Sequence, residues 1–298
     1  MSLSEKIWFD GKIVDKADAN AFFFNQALNF GASVFDGIRI YDTKNGPCLF
    51  RIDDHIDRFF YSLHALRMKS GFSKEDLKRA VIEIAKENKI TSGYVRPLSF
   101  YSEPKMGINI LDSKVSTAIL TWPWDDGSRQ KPVTVKISKY KRLSPESADL
   151  RAKIGGYYAP GILAFIDARE AGYDLPMMLD ENGNIAEGAV SNFFFVKDGK
   201  LYVPRADKIL EGITSSTIVS LAEDLGIEVI LADFSPEDLK SAEEAFFTST
   251  GAKLQQIERI ESFFTSKGFE VTEKIQGYFE QVVGGEVEKY TKWLTPVV

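Results

Sequence analysis

A chain of 298 residues has room for two domains or one large one, and 44% hydrophobic with 27% charged residues is the mixture of an ordinary globular protein. A formal net charge of −6 without any basic tract argues against nucleic acid as a partner, and no apolar run reaches the roughly 20 residues that a bilayer demands. Cys48 is the single cysteine, and His55 and His64 stand at no metal-ligand spacing, so an intrachain disulfide, a thiolate cluster, zinc chemistry and a Ser-His-Asp hydrolase all lose support.

In chain order, IWFDGKIV reads as a hairpin turning at Asp10-Gly11, and GIRIYDTKNGPCLFR as a second turning at Asn45-Gly46. Residues 53–68 put Ile56, Phe59, Phe60 and Leu63 on one helical stripe. The next helix opens with Ser73 and carries Asp76 three residues on, close to a capping box. GYVRPLSFY and KVSTAILTW read as strands, and WPWDDGSRQKP, with prolines, Asp-Asp-Gly and no periodicity, as a linker. The division expected is a small N-terminal α/β domain over 1–121, a linker over 122–132 and a larger mixed-sheet domain over 133–298.

In that second part VTVKISKY is a strand, and YYAPGILAFIDAREAG a helix with an apolar face and a stop at Gly172. MMLDENGNIAEGAVSNFFFVKDGKLYVP reads as a meander with turns at Asn182-Gly183 and Asp198-Gly199. GITSSTIVSLAEDLG is a helix ended by Gly226. Strand IEVILADF, a short SPEDLKSA turn or helix, strand EEAFFTS and the amphipathic helix VTEKIQGYFEQVVG complete the pass. The N-terminus carries no charged-then-apolar signal pattern, so the expected location is cytoplasmic.

Chemistry enters at RAKIGGYYAPGIL, where Lys153 stands between loop and helix beside Gly155 and Gly156. It is either a solvated lysine or an amine held for carbonyl chemistry, whose usual partner is pyridoxal phosphate. That cofactor needs a carboxylate at its ring nitrogen, a phosphate cup and a donor at its phenolic oxygen. Glu187, among small residues before an apolar strand, is a surface glutamate or the ring-nitrogen partner. Gly212, Ile213 and Thr214 open a helix and offer an anion site, unless Thr214 only caps its own helix. Ser249, Thr250 and Gly251 form a second polar turn, which an ordinary hydroxyl turn would equally explain. Arg58 is a phosphate contact or a solvated helix face, and Tyr158 a phenolic-oxygen donor or a core tyrosine.

The order of these candidates carries a resemblance. NFGASVFDGIRIYD, FRIDDHIDRFFYS, YVRPLSF with KMGIN, TWPW, AKIGGYY, LDENGNIAEGAVSNFFFVKDGKLYVP and GITSSTI resemble the class IV aminotransferases of fold type IV, most of all the branched-chain amino acid enzymes, almost end to end. The resemblance implies a two-domain α/β (mixed α+β) fold and pyridoxal 5'-phosphate on Lys153 as a Schiff base. It pairs Glu187 with the pyridinium and Tyr158 with the phenolic oxygen, and gives the phosphate to Arg58, Ile213, Thr214 and Thr250, with Ser249 where those enzymes usually have glycine. Phe35, Gly37, Tyr94 and Trp124 would wall the substrate pocket. Thr250-Gly251-Ala252 with Tyr94 would take the α-carboxylate, and Arg96 the side-chain carboxylate of glutamate. The implied reaction is transamination of Leu, Ile and Val with 2-oxoglutarate or another 2-oxo acid, in a homodimer or higher homo-oligomer. D-amino acid or amine transamination and 4-amino-4-deoxychorismate lyase chemistry are the alternatives on the same fold.

The chain also departs from the family. Phe30 replaces a tyrosine that supports the glutamate carboxylate, Tyr157 replaces a common asparagine, and TSTGAKLQQI replaces a Gly-Thr-Ala-Ala-Glu run. The linker is short and lacks a tyrosine often found there, and a Gly-rich stretch before the last helix is missing. These changes lie on the substrate side or at the periphery.

Overall fold

The computed structural model describes residues 2–20, 23–105, 107–124, 131–205, 207 and 209–297. Its helices are α1 (Gln26–Phe30), α2 (Ile52–Ala65), α3 (Lys74–Glu87), α4 (Ala159–Glu170), α5 (Ile213–Asp224) and α6 (Glu270–Val283). The chain forms two compact units. The first comprises Met1–Asp126, Ala152–Gly156 and Gln281–Val298, and the second Gly127–Arg151 and Tyr157–Glu280. The division expected from the sequence is linear, and the structure differs from it. Residues 152–156 return to the first unit because Ile154 bridges Val34, and 294–296 return because Leu294–Pro296 pairs with Gly46–Phe50. Strand Val115–Pro123 runs into the expected linker, of which residues 125–130 lie outside the described residues.

The first unit is built on an eight-stranded sheet. Its first hairpin turns where expected: Asp10 and Gly11 both take positive φ (45° and 94°), which matches the twist of the paired strands. The second pairs Thr43 with Gly46, so its central residues are Lys44 and Asn45, one position earlier than expected. Helix α3 begins with the capping box of Ser73 and Asp76, and buries Leu77, Ala80, Val81 and Ile84. Helix α2 buries Ile56, Phe59 and Leu63 as expected but leaves Phe60 half-buried, and it buries two polar residues, His55 and Ser62.

The second unit holds a nine-stranded sheet in which six strands close on themselves. The expected meander is present, as Leu175–Leu179, Ile185–Gly188, Asn192–Lys197 and Lys200–Pro204 pair in succession. Ring closure comes from the Glu187↔Asn192 rung, and Val135, Met177, Phe193, Phe195, Phe247 and Ile257 form part of the core. Strand Lys253–Ile260, absent from the sequence reading, pairs with Glu244–Ser249. Helix α4 corrects another expectation. It buries only Gly161, Ala164 and Ala168, while Ile162, Leu163, Phe165 and Ile166 of its apolar face stay exposed.

Candidate active site

Within the first unit, Lys153 lies just before Ile154, which bridges Val34, and a 3₁₀ turn at Gly155–Tyr158. Its N–H donates to Ser62 Oγ (2.9 Å), and its C=O accepts from the Phe35 N–H (3.2 Å). Its Nζ stands 4.9 Å from the centre of the Phe35 ring. The Arg96 guanidinium is also 4.9 Å from that ring, and stacks further on Tyr94 and Trp122 at 5.4 and 5.6 Å. No carboxylate of the described residues forms an ion pair with Arg96, and its Nε is buried without a hydrogen bond. Tyr94 stacks on Trp122 (4.8 Å) and Trp124 (5.5 Å). Gly37 is required by this arrangement, because a Cβ there would lie 1.6 Å from Tyr94 Oη. Phe35, Gly37, Tyr94, Arg96, Trp124 and Lys153 are thus gathered in one unit, with Trp122 as a member that the sequence reading missed.

Arg58 is not a solvated helix face. Its Nε and Nη2 fork onto Asp36, at 2.8 Å to Oδ2 and 2.7 Å to Oδ1. Asp36 is fully buried and also accepts from the Gly37 N–H and bonds His55 Nδ1, both at 2.7 Å. An ionised carboxylate only accepts, so His55 Nδ1 carries the proton. Burial by itself would raise the Asp36 pKa. Arg58 and then His55 outweigh burial and hold it far below the usual carboxylate range. Burial pushes the His55 pKa down, and Asp36 only partly offsets it, which favours the neutral ring. Asp36 was hidden in the sequence because a lone acid in FDG carries no signal until its partners, 19 and 22 residues on, are placed beside it.

The second unit gathers the other candidates. Glu187 is 6% exposed, ion-pairs with Arg142 and accepts from Asn192 Nδ2 (3.3 Å), so it is not a surface glutamate. Glu187, Asn192 and Thr248 occupy one rung across three strands, and the Thr248 hydroxyl is buried with no hydrogen-bond partner among the described residues. Asn192 Nδ2 also donates to Leu210 O (2.9 Å), which ties this rung to the approach of α5. The N-cap of α5 is Gly212, which supplies no capping side chain, and Thr214 is buried inside the first turn without capping it. Ser249 Oγ accepts the Ala252 N–H (3.0 Å), so the turn Ser249–Ala252 is held by its own hydroxyl as well as by the Ser249↔Lys253 pair. Tyr158, Ser249 and Ala252 line a cavity of about 440 Å³ with Ile162, Phe165 and Val190. Arg142 and Asn192 are further residues that the sequence reading missed, since neither falls in a turn or helix-start pattern.

These residues fit pyridoxal phosphate. The second unit offers a buried carboxylate for a ring nitrogen, an orphaned hydroxyl at Thr248, and an uncapped helix N-terminus for a phosphate. Comparisons with known proteins agree in kind. Residues 33–260 match the family described as amino-transferase class IV. Over the whole of both chains the sequence is 34% identical to a branched-chain-amino-acid aminotransferase of Pseudomonas aeruginosa. The structure of a branched-chain aminotransferase from Thermoproteus uzoniensis with norvaline superposes with a TM-score of 0.94 at 34% identity, covering 99% of this chain and 100% of that one. The branched-chain amino acid aminotransferase of Thermobaculum terrenum, solved in its PLP form, gives a TM-score of 0.92 at 28% identity and covers 100% of each chain.

Proposed function

The chain belongs to the class IV aminotransferase family, and from that premise we propose that it moves the amino group of leucine, isoleucine and valine to 2-oxoglutarate, with pyridoxal 5'-phosphate as cofactor and Lys153 as the Schiff-base nucleophile. One observation carries the reading: a single aromatic ring, Phe35, receives the Lys153 amine and the Arg96 guanidinium at equal distances of 4.9 Å. The amine that would act on Cα and the cation that would take a distal carboxylate are thereby fixed on one residue. When bound, pyridoxal phosphate supplies an aldehyde for an amine and a ring that withdraws electrons. Lys153 would hold it and move the Cα proton. Glu187, ion-paired with Arg142, would meet the ring nitrogen, and Tyr158 the phenolic oxygen. Arg58, Ile213, Thr214, Ser249 and Thr250 would hold the phosphate.

Phe35, Tyr94 and Trp124 give the substrate an aromatic wall suited to branched side chains, and Gly37 lets Tyr94 reach it. Tyr94 and the turn Thr250-Gly251-Ala252 would take the α-carboxylate. Arg96 is the cation for the side-chain carboxylate of the acceptor, since burying that charge unpaired would forbid it. A panel of amino donors with 2-oxoglutarate tests the reading: L-Leu, L-Ile and L-Val are expected to lead, and turnover of only D-amino acids or simple amines would refute it. Because Phe30 brings no hydroxyl, Phe30→Tyr is expected to tighten the Michaelis constant for 2-oxoglutarate by about 1 kcal/mol, the worth of one hydrogen bond, and to leave leucine nearly unchanged.

We place the protein in the cytoplasm, in keeping with one buried, unpaired cysteine. Among the described residues no helix is long and apolar enough to cross a membrane. A homodimer or higher homo-oligomer is the assembly we propose, and the uncovered face of α4 supports it, where Ile162, Leu163, Phe165 and Ile166 are 60%, 46%, 43% and 45% exposed. Val190, which lines the same cavity as Ile162 and Phe165, is 70% exposed. Sedimentation should give at least a dimer, and Ile162→Glu with Phe165→Glu should release monomers. A monomeric wild type would defeat this assignment.

A further inference from the structure

Ser62 occupies a costly position. It is fully buried in the last turn of α2, where a serine back-bonded to its own helix weakens that helix slightly. Its hydroxyl nevertheless uses both of its capacities. It donates to Arg58 O (2.8 Å) and accepts the Lys153 N–H (2.9 Å), 91 residues away. The donor bond turns the lone pair outward, toward the peptide of Lys153. Across the Lys153 Cα, in the next peptide, the Phe35 N–H holds the Lys153 carbonyl (3.2 Å), and Val34 bridges Ile154. Further along, the Gly156 N–H donates to Gly31 O (3.0 Å). Gly31 takes φ +68°, and a Cβ there would lie 2.6 Å from Gly156 Cα.

The backbone on either side of Lys153 is therefore clamped, while the side chain is a four-carbon stem with much rotational freedom. Fixing the peptide fixes where that stem starts. A reacting group displaced by about 1 Å can lose two orders of magnitude in rate.

We propose that Ser62 is a positioning residue for Lys153: its hydroxyl, held by the Arg58 carbonyl, clamps the Lys153 peptide so that the amine stands ready for a carbonyl carbon. The proposal rests on the reading of Lys153 as the nucleophile. Helix α2 then serves both groups, with Arg58 presented on one turn and Ser62 on the next. Chemically the clamped step is ordinary: the neutral amine adds to the aldehyde carbon and water leaves.

The test uses the full chain, stripped of cofactor, with Ser62→Ala and the near-isosteric Ser62→Cys. Two probes separate positioning from general damage. Pyridoxal phosphate reports the rate at which Lys153 captures an aldehyde, followed in the visible region and confirmed by borohydride reduction and peptide mass. Pyridoxamine phosphate, which has no aldehyde, reports binding without capture. Ser62→Ala is expected to slow capture about tenfold, one hydrogen bond's worth. Its affinity for pyridoxamine phosphate should stay within about twofold of wild type, and Ser62→Cys should fall between the two. Capture in Ser62→Ala at nearly the wild-type rate would overturn the proposal. So would a parallel loss of pyridoxamine phosphate affinity, which would make Ser62 a general packing residue. A reduced label on a lysine other than Lys153 in the wild type would overturn the reading of the site and this proposal with it.

Discussion

Lys153→Ala is expected to abolish amino transfer from leucine to 2-oxoglutarate, lowering kcat by about 10⁴-fold, the upper end of what a positioned acid–base group contributes. The loss is specific because the cations nearest the aromatic wall, buried Arg39 and half-buried Arg96, are arginines, which do not deprotonate under ordinary conditions. Arg39 stacks between Tyr41 (5.2 Å) and Trp124 (5.3 Å), and Arg96 lies in its own aromatic cage. Removing the stem of Lys153 leaves Phe35, Ser62 and the Asp36 cluster in place, so the variant should fold and still bind pyridoxamine phosphate. Residual activity within about tenfold of wild type would show that the amine is not the acting group.

The second large effect is on stability. Asp36→Ala removes the partner of a largely enclosed arginine and a buried histidine together, and also the acceptor for the Gly37 N–H. Breaking a buried pair from one side costs about 3–5 kcal/mol, because the remaining charge stays desolvated. A urea midpoint series that shows less than about 1 kcal/mol of change would mean that the cluster is not a stabilising element.

The same cluster sets a pH dependence. The folded pKa of Asp36 is depressed, so its contribution is present above the unfolded value of about 3.9 and is lost as pH falls below it. The folded pKa of His55 is also depressed, so the unfolded chain takes up that proton first, below its ordinary value of about 6.5. Both groups therefore remove stability on acidification, His55 starting near neutrality and Asp36 only in stronger acid. Wild-type stability that is flat from about pH 7 to about pH 5 would contradict the His55 part.

Much of the fold could be read from the sequence because the signals are local. Asp10-Gly11, Asp198-Gly199, the Ser73–Asp76 box and the continuous apolar run FFFV each decide their element within a few residues. The missed elements depend on distant partners. Lys253–Ile260 alternates too weakly to stand out, and becomes a strand by pairing with Glu244–Ser249 and with Val133–Ile137. The candidate site divides in the same way. Lys153, Glu187 and Thr214 sit in segments whose glycines and hydroxyls mark them. Asp36, Ser62 and Arg142 act through side chains placed beside them by the fold, and no spacing along the chain announces that.

The edge strand Leu294–Pro296 has a consequence for synthesis on the ribosome. The first unit's sheet cannot be completed until residues 294–296 have emerged, although most of that unit lies before residue 127. Throughout elongation, strand Gly46–Phe50 would present an open row of backbone donors and acceptors to other nascent chains. The strand carries Cys48, Leu49 and Phe50, all buried once the edge is covered, so an apolar edge stays open to aggregation until the C-terminal residues pair with it.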